Sequence, residues 1–195
     1  MDLDNLRHAL PTNLSTSTSV SNMVYTFKNP YPQHFSILYH IVEYMIENPQ
    51  SGKAWKKLIM SCKYFYSKKP VFSVSTLDVL CDVKCRADNE NFDATSPFPK
   101  LWVFDKLETK DGEFVALKPL MPKIAKFDLR VLQIDDETLT WKDYQKLTSS
   151  DTIEQLFFKS IIIKNANGTM VTFDKILQNL PHLKAIEMLV YLKLF

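Results

Sequence analysis

The sequence predicts an α+β fold in which an N-terminal helical unit is followed by short strand-and-helix repeats. Between residues 31 and 70, apolar residues recur at spacings of three and four, which is typical of amphipathic helices. From residue 122 onward, strand-like runs alternate with helix-like pieces at a regular interval. Residues 1–28 are rich in Ser, Thr and Asn and lack sustained apolar periodicity, so we expect a disordered tail there.

The composition excludes several classes of function. The only glycines are Gly52, Gly112 and Gly168, which leaves no glycine-rich phosphate loop and no nucleophile elbow. The apolar runs are only a few residues long, too short to cross a bilayer, so we expect no membrane partner. The net charge of +2 gives no overall reason to expect nucleic acid. The odd number of cysteines, 3, fits a reducing compartment, and we expect a cytoplasmic or nuclear protein.

The stretch 31–70 predicts a helical hairpin. Pro32 suits a helix entrance, Asn48-Pro49 should end the first helix, and Ser51 is a candidate N-cap for the second. The second stretch, closed by Pro70, could also be broken into two helices. The two apolar stripes comprise Phe35, Leu38, Ile41, Val42, Met45 and Ile46, and then Ala54, Trp55, Leu58, Ile59, Cys62, Phe65 and Tyr66. So small a unit leaves apolar surface that the rest of the chain or another protein must cover.

The middle of the chain, residues 72–121, is predicted to be a linker with short strands. Strand-like alternation is present in VFSVSTLDV, in LWVF at 101–104 and in EFVALK at 113–118. The polar stretch CDVKCRADNENFDATSPFPK between the first two is typical of a loop. We place a soft domain boundary within 72–100.

Residues 122–195 carry a repeat. Each unit opens with two apolar residues three positions apart, and the intervals between units are 29 and 30 residues; the pairs are Ile124 and Phe127, Ile153 and Leu156, and Leu183 and Ile186. Strand, turn and helix at this period indicate a solenoid of leucine-rich-like type, although Asn167-Gly168 would equally suit a hairpin turn. The C-terminal LVYLKLF has no polar cap, so either the array is truncated or another polypeptide covers it.

The candidate chemical groups favour no catalytic, metal or cofactor site. Cys81 and Cys85 have zinc-like spacing, but no second ligand pair follows nearby, and we interpret them as ordinary cysteines. The four histidines have no Ser, Cys or carboxylate at a diagnostic spacing; they are His8, His34, His40 and His182. The acidic run from Asp135 to Glu137 lacks the spacing of a calcium loop and is expected to be a solvated turn. We therefore predict a protein that is not an enzyme.

The local charge is more informative than the total. Residues 51–70 contain six lysines and no acid, and with Glu43 and Glu47 the hairpin totals +4. A basic helix face is either solvated surface or a dock for an acidic partner, and the interleaved aromatic residues favour docking. The predicted basic face comprises Lys53, Lys56, Lys57 and Lys63.

The hairpin stretch resembles an F-box of the divergent, expanded nematode-type family. Tyr31-Pro32 matches the opening of the family pattern. The first helix is matched by Phe35, Leu38, Ile41 and Met45, and the close by Leu58, Cys62, Lys63 and Phe65. Residues 128–147 and 153–177 are similar to the recognition region of the same proteins, so the resemblance covers about 30–195.

The resemblance implies an F-box helical domain at 29–71 and a non-catalytic substrate-recognition subunit of an SCF-type cullin-RING ubiquitin ligase. The F-box would dock a Skp-type adaptor, and through it a cullin, while the repeats bind a protein substrate destined for ubiquitin-dependent degradation. The implied adaptor-binding residues are Tyr31, Pro32, Phe35, Leu38, Ile41, Met45, Trp55, Leu58, Cys62 and Phe65. The alternatives are a binding scaffold unconnected to ubiquitination and a nucleic-acid binder that uses the face from Lys53 to Lys69.

Overall fold

A computed structural model describes residues 37–80, 84–109 and 117–189, and these residues form a mixed α+β fold. The described ranges contain six α-helices: α1 (Tyr39–Glu47), α2 (Gly52–Ser61), α3 (Lys63–Lys68), α4 (Leu117–Leu120), α5 (Trp141–Leu147) and α6 (Phe173–Gln178). They contain ten strands: β1 (Val71–Val79), β2 (Lys84–Ala87), β3 (Glu90–Asp93), β4 (Lys100–Thr109), β5 (Ile124–Phe127), β6 (Val131–Asp135), β7 (Thr138–Thr140), β8 (Gln155–Lys159), β9 (Ile162–Lys164) and β10 (Ala185–Leu189). The predicted α+β class is confirmed. The predicted tail lies outside the described residues.

The first three helices follow the local sequence signals. The Ser51 side chain caps α2, because its Oγ accepts a hydrogen bond from the Ala54 N–H at 3.2 Å. The first helix ends at Glu47, directly before Asn48-Pro49. Cys62 separates α2 from α3 in an extended conformation, and its sulfur accepts from the Tyr64 N–H. The second stretch is therefore broken into two helices.

The segment predicted as a linker supplies the centre of an eight-stranded sheet. Strand β1 covers the same residues as the predicted VFSVSTLDV strand, and it pairs in parallel with β4 over most of its length. The stretch expected to be a loop contains the antiparallel β2–β3 hairpin. Within the predicted strand 113–118, residues 117 and 118 begin α4 instead, and residues 113–116 lie outside the described residues. The linker prediction was wrong because β1 and β4 are paired with each other at the centre of this sheet.

The remaining parallel strands extend this sheet to one side in the order β4, β6, β8, β10. The run KFDLRVLQI, predicted as one strand, is divided into β5 and β6, which pair with successive halves of β4. The division is held by two hydrogen bonds to β4, from Asp128 N–H to the Val103 carbonyl and from Arg130 N–H to the Asp105 carbonyl, both 2.8 Å. The chain thus bends at residues 128–130 without leaving the sheet.

Two successive units, β6–β7–α5 and β8–β9–α6, share the same backbone geometry. Asp136 and Ser160 follow the first strand of each unit with positive φ angles of 49° and 53°. The Asp136 N–H donates to the Lys159 carbonyl, and the Ser160 N–H donates to the Leu189 carbonyl, both at 2.8 Å. Each acceptor is the last residue of the next strand in the sheet. The short strands β7 and β9 pair in parallel in a second sheet. A strand, a turn and a helix therefore follow one another twice in this part of the chain, and the leucine-rich-like repeat stays a prediction.

The first unit begins later than the sequence periodicity predicts. The partners of Leu156 across the sheet are Leu132 in β6 and Ile186 in β10. The residue that corresponds to Ile153 is therefore Leu129, which is fully buried, whereas Ile124 and Phe127 belong to β5. The interval between the first two units is 24 residues, so the predicted interval of 29 was wrong.

Two hydrophobic cores lie on opposite faces of β4. The larger core packs the sheet against α4, α5 and α6 and includes Leu101, Val103 and Leu107. Trp102 and Phe104 alternate with these residues and face a smaller core beneath α1, α2 and α3. The smaller core therefore joins the N-terminal helices to the sheet.

Candidate protein-docking site

The N-terminal helices are fixed to the sheet by polar contacts as well as by packing. The Trp55 indole N–H donates to the Val71 carbonyl at 2.8 Å. The Ser73 hydroxyl donates to the Gly52 carbonyl at 2.7 Å, and both residues are buried. Buried polar groups that find partners hold a defined geometry. The outer surface of these helices is therefore presented in one orientation relative to the sheet.

Helix α1 has one packed face and one exposed apolar face. Val42 is fully buried in the smaller core, whereas Leu38 at the helix entrance is 64% exposed and Ile41 is 40% exposed. Tyr44 is also exposed and Met45 is half-buried. With 100° of rotation per residue, all four lie on one side of Val42. We call Leu38, Ile41, Tyr44 and Met45 the α1 face.

Helix α2 exposes two lysines and a methionine. Trp55 points into the smaller core, and Lys53, Lys57 and Met60 lie on the opposite side of the helix, all exposed. We call these three residues the α2 face. A partner that contacts the α2 face would therefore meet one exposed apolar side chain together with two positive charges.

The lysines of these helices are not placed to stabilise the helices themselves. Lys53 lies in the first turn of α2 and Lys63 begins α3, and neither helix has an acid in its first turn. A cation near a helix N-terminus opposes the helix dipole, at about 0.3–1 kcal/mol where exposed. The lysines at these two positions therefore supply positive charge at a small cost in helix stability.

The predicted adaptor-binding residues divide into four groups. Tyr31, Pro32 and Phe35 lie outside the described residues. Leu38, Ile41 and Met45 belong to the α1 face, while Leu58 and Cys62 are partly buried against the smaller core. Trp55 and Phe65 are buried, with their rings in edge-to-face contact at 6.5 Å between centroids. For these two residues a direct contact with a partner is contradicted, because they pack inside the chain.

Sequence analysis did not single out Tyr44 and Met60 as candidates for the docking surface. Met60 falls outside the apolar stripe of α2, which contains Trp55, Leu58 and Ile59. An apolar residue among lysines on the polar side of an amphipathic helix was the available signal. Tyr44 carries no such signal, because tyrosine is common on helix surfaces.

The predicted basic face is reduced by one lysine. Lys53, Lys57 and Lys63 are exposed, but Lys56 forms a salt bridge with Asp88 and is partly buried. Asp88 also accepts hydrogen bonds from the N–H groups of Ser75 and Thr76, at 2.8 and 3.0 Å. Lys56 therefore ties α2 to the turn after β2, and we reassign it from partner binding to structure.

A groove of about 450 Å³ separates α1 from α3. Its walls include the phenol of Tyr39, whose pKa is raised to about 12 by a hydrogen bond to Glu43 and by the charge of that carboxylate. Glu47, Lys68 and Lys69 complete a lining of mixed charge. The groove borders the α1 face and offers polar contacts there. Neither positive nor negative charge predominates in its lining.

The described ranges place no metal-binding cluster beside these helices. In that part of the chain, no three His, Cys, Asp or Glu side chains are grouped so as to hold a metal ion. Burial raises the pKa of the Cys85 thiol to about 11, and Cys81 lies outside the described residues. Glu137 is buried rather than solvated, which corrects the expectation for the acidic run Asp135–Glu137.

Comparisons with known proteins add no family assignment. None of the helices in the described ranges is long and apolar enough to span a bilayer. No protein-family model, curated protein or solved structure matches this chain at a significant level. The exposed surface of the N-terminal helices is therefore interpreted from its own residues.

Proposed function

We propose that this chain is a non-catalytic substrate-recognition subunit of an SCF-type ubiquitin ligase. In this proposal α1, α2 and α3 form an F-box that docks a Skp-type adaptor, and the adaptor links the chain to a cullin. The strand-and-helix units, taken as leucine-rich-like repeats, present a protein substrate. The chain makes and breaks no bond; it raises the effective concentration of substrate at the ligase.

The observation that carries the proposal is the division of α1 into two apolar faces. Val42 is buried in the smaller core and Ile46 packs against that core, yet Leu38, Ile41 and Tyr44 keep much of their surface exposed. Burying an aliphatic side chain is worth about 1.5–3 kcal/mol, so an uncovered row of them favours association. Helical segments that present such rows commonly dock into a partner's groove.

The charge on α2 specifies the partner surface further. Lys53 and Lys57 flank the exposed Met60, so a partner surface should combine acidic groups with apolar contact. Complementary charge mainly accelerates association, while the apolar anchors slow dissociation. An adaptor surface that carries acidic groups beside apolar side chains would match both the lysines and Met60.

A co-precipitation experiment with purified proteins tests the proposal. The full chain, incubated with a Skp-type adaptor and a cullin, should retain both proteins on an affinity resin. Leu38→Asp should abolish retention, because the contact would bury an unpaired charge. Phe173→Asp is the matched control, since Phe173 is exposed at the start of α6 and lies outside the N-terminal helices.

The rival functions predict different outcomes. A scaffold unconnected to ubiquitination would retain neither adaptor nor cullin. A nucleic-acid binder would bind duplex with a steep salt dependence, set by the phosphates it neutralises. The salt bridge between Lys56 and Asp88 leaves fewer lysines to neutralise phosphates. Failure of the unmodified chain to bind adaptor rejects the ligase proposal.

A further inference from the structure

Strand β10 ends the described sheet with its apolar side chains uncovered. Ile186 and Met188 are 42% and 38% exposed. Their partners in register on β8, Leu156 and Phe158, are buried. The same face of the sheet is therefore covered at β8 and uncovered at β10.

One edge of the β10 backbone has no strand partner among the described residues. It pairs in parallel with β8 on one side, and no described strand pairs with its other side. An edge strand of this kind exposes a row of N–H and C=O groups that can accept another strand. Strand addition of this type is a common mode of peptide recognition, in which alternate side chains supply the specificity.

The opposite face of β10 presents Glu187 between Ala185 and Leu189, and this one carboxylate favours a basic residue in the added strand. Glu187 points away from Ile186 and Met188, because side chains alternate along a strand. Glu187 forms no salt bridge with any residue in the described ranges, and its in-register neighbour on β8 is the uncharged Phe157. A basic residue directly opposite Glu187 would form a favourable cross-strand pair.

The same carboxylate disfavours a second copy of this chain as the occupant. Two β10 strands related by a two-fold axis would run antiparallel, and full overlap of their five residues would centre on Glu187. The two Glu187 side chains would then lie directly opposite each other, which is destabilising. Registers that separate them leave part of β10 unpaired.

We propose that β10 binds an extended segment of a partner protein in which apolar residues alternate with basic residues. The segment adds to the free edge as a further strand. Its apolar residues cover Ile186 and Met188, and a basic residue pairs with Glu187. This surface is separate from the proposed adaptor dock, because β8 and β6 lie between β10 and β4.

The test uses the full chain and two short synthetic peptides, measured by fluorescence anisotropy. Valine alternates with lysine in the basic peptide and with glutamate in the acidic peptide. The basic peptide should bind about two- to fivefold more tightly, as expected for one cross-strand charge pair. Glu187→Lys should reverse this preference, and Met188→Asp should weaken the binding of both peptides.

Two control variants locate the binding. Glu90→Lys changes an exposed acid on β3 at the opposite edge of the sheet and should leave the preference unchanged. Ile41→Asp should also leave it unchanged, so failure of the adaptor proposal does not affect this one. The inference is overturned if neither peptide binds, if both bind equally, or if the preference survives in Glu187→Lys. A dimer of the unmodified chain that Met188→Asp dissociates would overturn it in favour of a second copy.

Discussion

Gly52 packs directly against the side chain of Phe104, which brings the first turn of α2 into contact with the central strand β4. A Cβ added at Gly52 would lie 2.8 Å from Phe104 Cγ, closer than real side-chain contacts. Gly52 has no positive φ angle, so close approach rather than backbone conformation requires glycine there. The contact joins the N-terminal helices to the sheet.

Gly52→Ala should therefore destabilise the fold. In an exposed helix the change would gain about 1 kcal/mol, because alanine is the better helix former. Here the added methyl group meets a packed ring, and overpacking of this kind costs about 1–3 kcal/mol. Urea denaturation measures the result. Increased stability in Gly52→Ala would show that Phe104 moves aside freely.

A fragment of residues 29–71 should not fold by itself. The smaller core includes Trp102 from β4, and Phe104 packs against it, so the fragment would lack part of its own core. Units of about 40 residues are marginal even with a complete core. Circular dichroism of the isolated fragment should show little helix. A cooperative thermal transition of the fragment would contradict the shared core.

The shared core explains which parts of the site were predictable from sequence. The helix stripes and the Ser51 cap are local signals, and the helices form as predicted. Trp55 and Leu38 both belong to apolar stripes, yet one contacts the sheet and the other faces outward. Trp102 and Phe104, which lie far along the chain, decide which of these apolar residues the sheet covers. Helical periodicity alone therefore could not distinguish core residues from docking-surface residues.

The fold was predictable to a similar extent. Strand β1 was predicted at its correct bounds because its alternation is continuous. The bend at residues 128–130 was missed, because two hydrogen bonds to β4 create it and the local sequence does not interrupt the apolar pattern. The first repeat interval is shorter because α5 follows β7 directly, whereas eight residues separate β9 from α6. Long-range pairing, not local propensity, decided the bend.

Lys53→Glu should separate stability from binding. An acid in the first turn of α2 interacts favourably with the helix dipole, so we expect a gain of about 0.3–1 kcal/mol in folding stability. The same change should slow association with a Skp-type adaptor, because it reverses a charge on the α2 face. Thermal unfolding and stopped-flow association measure the two effects. An unchanged association rate would remove Lys53 from the docking surface.

Glu137→Gln should flatten the pH dependence of stability. Burial raises the pKa of the Glu137 carboxyl, and its Oε1 has no hydrogen-bond partner among the described residues. The folded chain then holds the proton to higher pH than the unfolded chain. Stability therefore falls as pH rises from the ordinary glutamate pKa, about 4.3, through the raised value of the folded state.

Glutamine cannot ionise, so the variant should be more stable than the unmodified chain at neutral pH and should lose that advantage in acid. Urea denaturation across a pH series measures the difference between the two proteins. A constant difference at all pH values would show that Glu137 does not titrate across that window.

The most direct test of the docking surface is the dissociation constant of the full chain with a purified Skp-type adaptor, measured by calorimetry for the unmodified protein and for Ile41→Asp. The account predicts saturable binding that Ile41→Asp weakens at least about 100-fold, as expected when about 3 kcal/mol or more is lost to a buried unpaired charge. Phe173→Asp should bind like the unmodified chain. Absence of binding by the unmodified chain, or equal binding by Ile41→Asp, would contradict the account.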